Sequence, residues 1–465
     1  RRQRQMCIRD STRCFLKIKF SANKQGGTDR VNLLTDREYL GLTIPFMLST
    51  MTQPLMGAVN TAVMGQLPDP KYIAAVSLGA ILFNNLYWLF GFLRVSTTGY
   101  AAQAFGAADK RLGMLAFFKP LVLAMLISAC CILFQKPILE LYLAMIGAAP
   151  EVNELCRDYY YILIWGAPLV FGNYVALGWL MGQTRVRASV FMQVSMNVLN
   201  MALSIWFVFW LHMDITGVAF ATLLSQLYGG ILSIVLMYYY GDFDYKALPW
   251  SELLDWREFI GMLQVNVNLM IRTACLLTVN NIIAAVGASF GTVVLAANAV
   301  LLQLKDIMSY LIDGMANGAA IFSGRAVGAK NGKLFAATIK MTFKWLVVLA
   351  AILMLGYHLG NEFFIRLFTN IEEVVAMAVT YNVFVLFYPV CAGIGMVLYG
   401  VFCGATKTAP VRNMMLMALL VFYLLQWQLV PLWGNSGLWL ALLGFMLSQS
   451  IILLFYLSSL RRKFA

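Results

Sequence analysis

Long apolar runs separated by short polar turns follow one another along almost the whole chain. Each is long enough for the roughly 20 residues a helix needs to cross a bilayer core, and none shows the in-out alternation of a barrel strand. The pattern predicts twelve spanning helices, at about 39–66, 73–100, 112–134, 157–182, 188–211, 215–240, 259–286, 292–322, 335–358, 376–403, 410–432 and 437–459.

The runs also repeat. Sliding the chain along itself until Gly65 lies on Gly287 lays Ala74 and Ala75 on Ala296 and Ala297, Ala104 on Ala326, Gly106 on Gly328, and Leu112 on Leu334. Gly178, Gly182 and Thr184 fall on Gly400, Gly404 and Thr406 in the same register. A duplicated membrane chain is expected to enclose a transport path between its halves. With an even number of spans in each, the halves are parallel repeats about an axis along the membrane normal. The expected division is a leader at 1–36, an N-lobe of helices 1–6 at 37–245 and a C-lobe of helices 7–12 at 246–465.

Composition supports the membrane reading: 61% of residues are hydrophobic and 12% charged, against about 45–50% and 25% in soluble domains. Alternate turns collect the basic residues: Lys110 and Arg111, Arg185 and Arg187, Lys246 and Arg257, Arg325 with Lys330 and Lys333, Lys407 and Arg412, and finally Arg461, Arg462 and Lys463. Lys and Arg flanking spans stay cytoplasmic, so both termini are expected there, in a multi-pass protein of the cell inner (plasma) membrane. The net charge of +13 follows from this sorting and from the leader, and does not argue for nucleic acid. The leader is rich in Arg and lacks a signal peptide's apolar run, and reads as disordered or non-native. The eight cysteines show no metal-binding spacing, and disulfides are not expected.

Three segments are specific to a family. The first holds Gly57, Asn60 and Gly65, then Ala74 and Ala75, then Gly91 and Arg94, then Thr97, Thr98, Gly99, Gln103 and Gly106. The second has Asn197, Asn200 and Ser204 followed by Gly217 and Thr222. The third has Arg272 and Thr273, Ala296 to Asn298, Ile312 to Gly314, Ala316, Ser323, Gly324 and Gly328. These resemble the multidrug and toxic compound extrusion (MATE) transporters, and the third resembles their DinF-type branch. The resemblance runs from about residue 37 to the end. It implies an all-α membrane fold, two six-helix bundles forming a V-shaped cleft. It also implies efflux of organic, often cationic and amphipathic, solutes in exchange for protons or sodium ions by alternating access, with no cofactor beyond the coupling ion.

The chain departs from that pattern where the family often carries carboxylates. Asn60, Ser204 and Ala320 stand at three such positions, while Thr222, the family's polar partner on the sixth helix, is kept. Asn and Ser cannot change charge state, so the usual first-lobe proton switch does not carry over.

Intramembrane charge lies instead in the eighth span. Gln303, Asp306, Tyr310, Asp313 and Asn317 are spaced 3, 4, 3 and 4 apart and share one helical face. Asp306 sits roughly 20 Å from the outer end of the helix, near mid-membrane. An unpaired carboxylate there costs at least about 2.5–3.5 kcal/mol, so it calls for water or a basic partner. Arg272, Lys305 and Arg94 are the candidates, and the repeat sets Arg94 at the depth of Asp313 in the opposite half. Asp306, Asp313, Arg272 and Arg94 are therefore the cation-coupling candidates, the alternative being a structural polar seam.

Other polar faces fit a cleft: Gln53 and Asn60, then Asn84, then Asn197, Asn200 and Ser204 with Thr222. The same residue types equally tie membrane helices together for about 0.6–2 kcal/mol each. The Gly-x-x-x-Gly pairs at 178/182, 324/328 and 400/404 are close-packing sites. Pro168 and Pro389, on matching helices, are the hinge candidates.

Two motifs fail on context. Gly287-Ala-Ser289-Phe-Gly291 lies in a turn between membrane helices, not on a strand-to-helix elbow. The Gly106 to Gly113 turn is similar to one in major facilitator transporters but lacks the second basic cluster that signature needs. The competing functions are thus a cation-coupled exporter, a lipid-linked precursor flippase, a major facilitator type transporter, and an intramembrane enzyme. The exporter leads and no enzymatic activity is expected. The expected partners are a small organic solute and the lipid bilayer, without nucleic acid, for a monomer.

Overall fold

The computed structural model describes residues 34–462, apart from 54, 55, 57, 58, 60–62, 64–69, 147–149, 214, 242–249 and 254; at 70–77, 80, 145, 146, 215, 250 and 251 only the backbone is described. The expected leader therefore lies almost wholly outside the description, as does Asn60. At its end Thr35 caps the first helix in a capping box with Glu38, so that helix starts at Asp36.

The helices are α1, Asp36–Thr50; α2, in two pieces, Pro70–Leu89 and Phe92–Gly106; and α3, Lys110–Leu133 continuing as Gln135–Ile146. α4 is Pro150–Leu163 and Ala167–Gly182 joined by the 3-10 turn Ile164–Gly166. α5 is Val186–Phe209, α6 Ile215–Tyr240, α7 Trp256–Ala288, α8 Thr292–Gly328, α9 Gly332–Arg366 and α10 Glu372–Gly404. The last helical stretch, Ala409–Arg462, is broken at Gly434 (φ 54°, ψ −129°) into α11, 409–433, and α12, 435–462. Only glycine takes that conformation without strain. The two arms form an antiparallel hairpin, because Phe422 meets Phe445, and methyl groups on Gly444 and Gly437 would run into Leu425 and Leu429.

Among the described residues nine helices are long and apolar enough to cross a membrane. Counting the hairpin twice and adding α1 and α2, which are described only in part, gives twelve crossings in two sets of six. Most helices begin earlier than their apolar runs, α7 at Trp256 and α9 at Gly332. Capping by Asp255 and Asn331 extends each helix beyond its hydrophobic part.

The repeat is present in the backbone as well as in the sequence. Ala108 and Lys330 are left-handed in the turns after α2 and α8, and Thr184 and Thr406 in those after α4 and α10, each pair matching in the repeat register. Asp109 and Asn331 cap the next helices at Leu112 and Leu334. Inside each half one packing is used twice: a methyl on Gly178 or Gly182 would strike the carbonyls of Arg94 or Thr98, and one on Gly400 or Gly404 those of Ala316 or Ala320. Between the halves the contact is reciprocal, as a twofold requires. Gly106 lies on the Arg325 carbonyl and Gly328 on that of Gln103. This seam sits at the end of the bundle where Lys110, Arg111, Arg325, Lys330 and Lys407 collect, referred to below as the basic end.

The two matching prolines have different settings. Pro168 opens a helical segment directly after the 3-10 turn in α4. Pro389 lies inside the uninterrupted α10.

Candidate functional site

Midway along α8 the small residues that pack against α1 alternate with the polar stripe. Gly314 and Gly318 face Met47 and Thr43 of α1 so closely that no side chain fits. Gln303 is exposed, and Asp306, Tyr310, Asp313 and Asn317 are each partly so. A helix interior that shows polar side chains to solvent at mid-depth lines a cavity, since lipid would leave them unsatisfied.

Both carboxylates have cations. Asp306 pairs with Lys305 at 2.8 Å, and the buried Lys305 ammonium lies 5.7 Å from the Tyr388 ring centre. The Tyr388 hydroxyl in turn meets Ser309 at 2.7 Å. Asp313 lies 3.9 Å from the Arg94 guanidinium, across the boundary between the halves, and accepts a hydrogen bond from Asn317 Nδ2 at 3.3 Å. The depth match expected from the repeat is what brings Arg94 and Asp313 together. Arg272 joins neither acid. Its guanidinium lies 3.8 Å from the centre of the Tyr399 ring, a cation–π contact, and its Nε is buried with no hydrogen-bond partner among the described residues. Among the described residues three cations, Lys305, Arg94 and Arg272, thus stand around the two carboxylates of the stripe.

The first half contributes neutral groups. Asn197 Nδ2 donates to Thr52 Oγ1 of the α1 region at 2.7 Å. Asn200 is buried and its Nδ2 donates to Thr222 Oγ1 at 3.1 Å and to Ser225 Oγ at 3.4 Å. Ser204 is buried and its Oγ has no partner among the described residues. Gln53 and Asn84 are exposed. The cleft candidates therefore split: Asn197, Asn200 and Thr222 tie helices together, whereas Gln53, Asn84 and Gln303 project from them.

Several contacts carry no motif. Tyr388 and Tyr399 come from distant sequence to meet Lys305 and Arg272, and Ser309, one turn after Lys305 on α8, joins Tyr388. Among the described residues three ion pairs join the halves at the basic end, Asp36 with Lys344 at 2.8 Å, Glu258 with Lys119, and Arg111 with Glu252. Trp345 Nε1 also donates to Asp36 at 2.8 Å, and these donors hold the Asp36 carboxyl below its ordinary value of 3.8. The sequence signal for the Asp36 and Glu258 pairs was the repeat itself, since Asp36 falls on Glu258 in its register.

Two parallel six-helix bundles with a polar, partly open seam between them define a secondary transporter of the duplicated type. The MatE family model matches residues 45–206 and again 269–427, once in each half, and the chain belongs to this family of transporters. Over 422 residues, 90% of this chain and 91% of the other, it is 34% identical to DNA damage-inducible protein F of Escherichia coli (strain K12). It is also similar to the probable multidrug resistance protein NorM of Bradyrhizobium diazoefficiens, at 25% identity over 75% of this chain and 76% of that one. A solved outward-facing multidrug resistance MATE family transporter of the MOP superfamily superposes with a TM-score of 0.81 at 21% identity, covering 92% of this chain and 96% of that one. Membership makes the chain a multi-pass membrane transporter and not an enzyme.

Proposed function

We propose that this chain exports small organic solutes by alternating access, in exchange for protons moving inward through the α8 stripe. The observation that carries the proposal is the Arg94–Asp313 pair, which joins the halves at mid-depth on a partly open polar face. A carboxylate already facing a guanidinium or an ammonium is poorly disposed to hold Na+. A proton on Asp313 or Asp306 instead cancels the attraction to Arg94 or Lys305. Protonation of Asp313 thereby cuts a tie between the lobes, which links proton arrival to lobe movement. The lobes are residues 37–245 and 246–465. The protein works as a monomer in the inner (plasma) membrane with its basic end and both termini in the cytoplasm. Family membership and the multidrug resistance named for NorM support export of organic solutes, and neither favours a flippase.

The test uses vesicles loaded with a fluorescent organic solute and exposed to a pH or a sodium gradient in turn. Efflux is expected under the pH gradient alone. Asp306→Asn with Asp313→Asn should abolish that stimulation while the protein stays folded. Sodium-driven efflux, or unchanged pH-driven efflux in the double variant, would show that coupling lies elsewhere.

A further inference from the structure

Two of the ion pairs at the basic end are copies of one another, but their surroundings are not. Asp36 at the start of α1 reaches Lys344 on α9, and Glu258 at the start of α7 reaches Lys119 on α3. The acids match in the repeat register, and Lys119 lies within one turn of the position equivalent to Lys344. Beside Asp36 the space is filled. Tyr39 is fully buried, its ring stacks on Phe322 at 5.6 Å and its hydroxyl contacts Thr342 Oγ1 at 3.1 Å.

The residue equivalent to Tyr39 beside the other pair is Gly261. A Cβ on Gly261 would meet nothing within 4 Å. In place of a tyrosine ring there is a cavity of about 680 Å³ between the lobes, lined by Tyr100, Gln103, Lys119 and Pro120 of the first lobe and by Glu258 and Asn268 of the second among others. Its size falls within the roughly 300–1,000 Å³ of small-molecule sites, and it lies at a lobe boundary, where such sites occur. Its wall mixes aromatic and aliphatic surface with a few fixed polar groups, the lining of a site for an amphipathic molecule.

The charge it takes follows from Lys119. This side chain is buried at 8% exposure, whereas Glu258 is 60% exposed. Among the described residues Glu258 is the ion-pair partner of Lys119, and it belongs to the opposite lobe. When the lobes part at this end the buried ammonium loses its carboxylate, and an anionic group entering the cavity replaces it. The central stripe has a matching need, because Arg272 is the cation left over once Asp306 and Asp313 have paired.

We infer that the Gly261 cavity is a loading site for the exported solute, and that it takes amphipathic organic acids, the carboxylate on Lys119 and the apolar body against Tyr100 and its neighbours. The inference rests on the export reading for its direction, since the basic end must face the cytoplasm for a solute to load there. Glu258 then acts as a stand-in for the solute's carboxylate, closing the site when it is empty.

The test measures binding to the purified full chain of two fluorescent probes that differ only in charge, pyrenebutyrate and pyrenebutyl trimethylammonium. Pyrenebutyrate should bind at least about tenfold tighter, a difference of about 1.4 kcal/mol. Gly261→Tyr, which installs the residue found in the other half, should weaken pyrenebutyrate binding by at least about tenfold, with Gly261→Ser giving a smaller loss in the same direction. Lys119→Gln should erase the preference for the acid, and Lys119→Arg should keep it. Equal or tighter binding of the quaternary amine would overturn the inference. So would unchanged acid binding in a Gly261→Tyr protein that melts like the parent. Gradient-driven flux is measured separately: binding as described without flux under any gradient defeats the export reading and leaves the site standing, while flux that ignores Gly261→Tyr and charge defeats the site alone.

Discussion

Adding one methyl group at Gly328 should push the lobes apart at the basic end. A Cβ there would lie 2.8 Å from the Gln103 Cα and closer still to its carbonyl oxygen, whereas real Cβ atoms essentially never come within 3.0 Å of another heavy atom. The obstacle is backbone in the last turn of α2, with no flexible tip to swing aside, so α2 and α8 must separate by about 1 Å to bring the 1.9 Å approach to the carbonyl oxygen up to 3.0 Å. Overpacking of this kind costs about 1–3 kcal/mol. Because the strained contact exists only while this end is closed, the cost falls on the closed state, and about 1–3 kcal/mol shifts such an equilibrium by about 5–150-fold. Gly400→Ala strains the packing of α8 on α10 by a similar amount, but within one lobe, so it should lower thermal stability without moving the lobes. The assay is electron-spin distance measurement between labels at the exposed Leu112 and Lys333, in a chain whose native cysteines have been replaced. Gly328→Ala should add or enlarge a long-distance population that Gly400→Ala lacks. An unchanged distance distribution in a folded Gly328→Ala protein would refute the claim that this seam holds the closed end.

Three other variants probe the same geometry. Asn298 and Asn435 are buried and exchange two hydrogen bonds, at 2.7 and 2.9 Å, and Asn298 also accepts from Trp439 Nε1 at 2.9 Å; Asn298→Ala strands those partners and should cost about 2–3 kcal/mol in a thermal melt. Arg94→Gln breaks a pair of partly exposed charges worth only about 0.2–1 kcal/mol, so it should barely change the melting temperature yet remove the pH stimulation of efflux; a large loss of stability with normal coupling would make the pair merely structural. The depressed Asp36 carboxyl means its tie to Lys344 is fully present above its ordinary value of 3.8 and is lost only as pH falls below it through the lowered folded value. Labels across this corner should therefore hold one distance from about pH 5 to 8, while Asp36→Asn loosens the corner at neutral pH.

Much of the architecture was legible in the residues. Hydrophobic run length set the number of crossings, because a bilayer leaves a chain no other way to satisfy its backbone. The repeat of Gly178 and Gly182 at Gly400 and Gly404 foretold that one helix packing would be used twice, since only glycine permits that approach. The spacing of Asp306, Asp313 and Asn317 put them on one face, and the repeat register set Arg94 level with Asp313. These are local or periodic facts, and they survive folding unchanged.

Which cation meets which acid was decided by the tertiary structure. Arg272 was as plausible a partner for Asp306 or Asp313 as Lys305 or Arg94, until the fold brought the Tyr399 ring of α10 against its guanidinium. The prolines were alike in the repeat, yet Pro168 follows a real break and Pro389 does not, because neighbouring helices determine whether a missing backbone bond becomes a bend. Gly261 was silent in the sequence. Its meaning depends on Tyr39 filling the equivalent space in the other half, and a void between helices from two lobes is a property of their packing that no run of residues spells out.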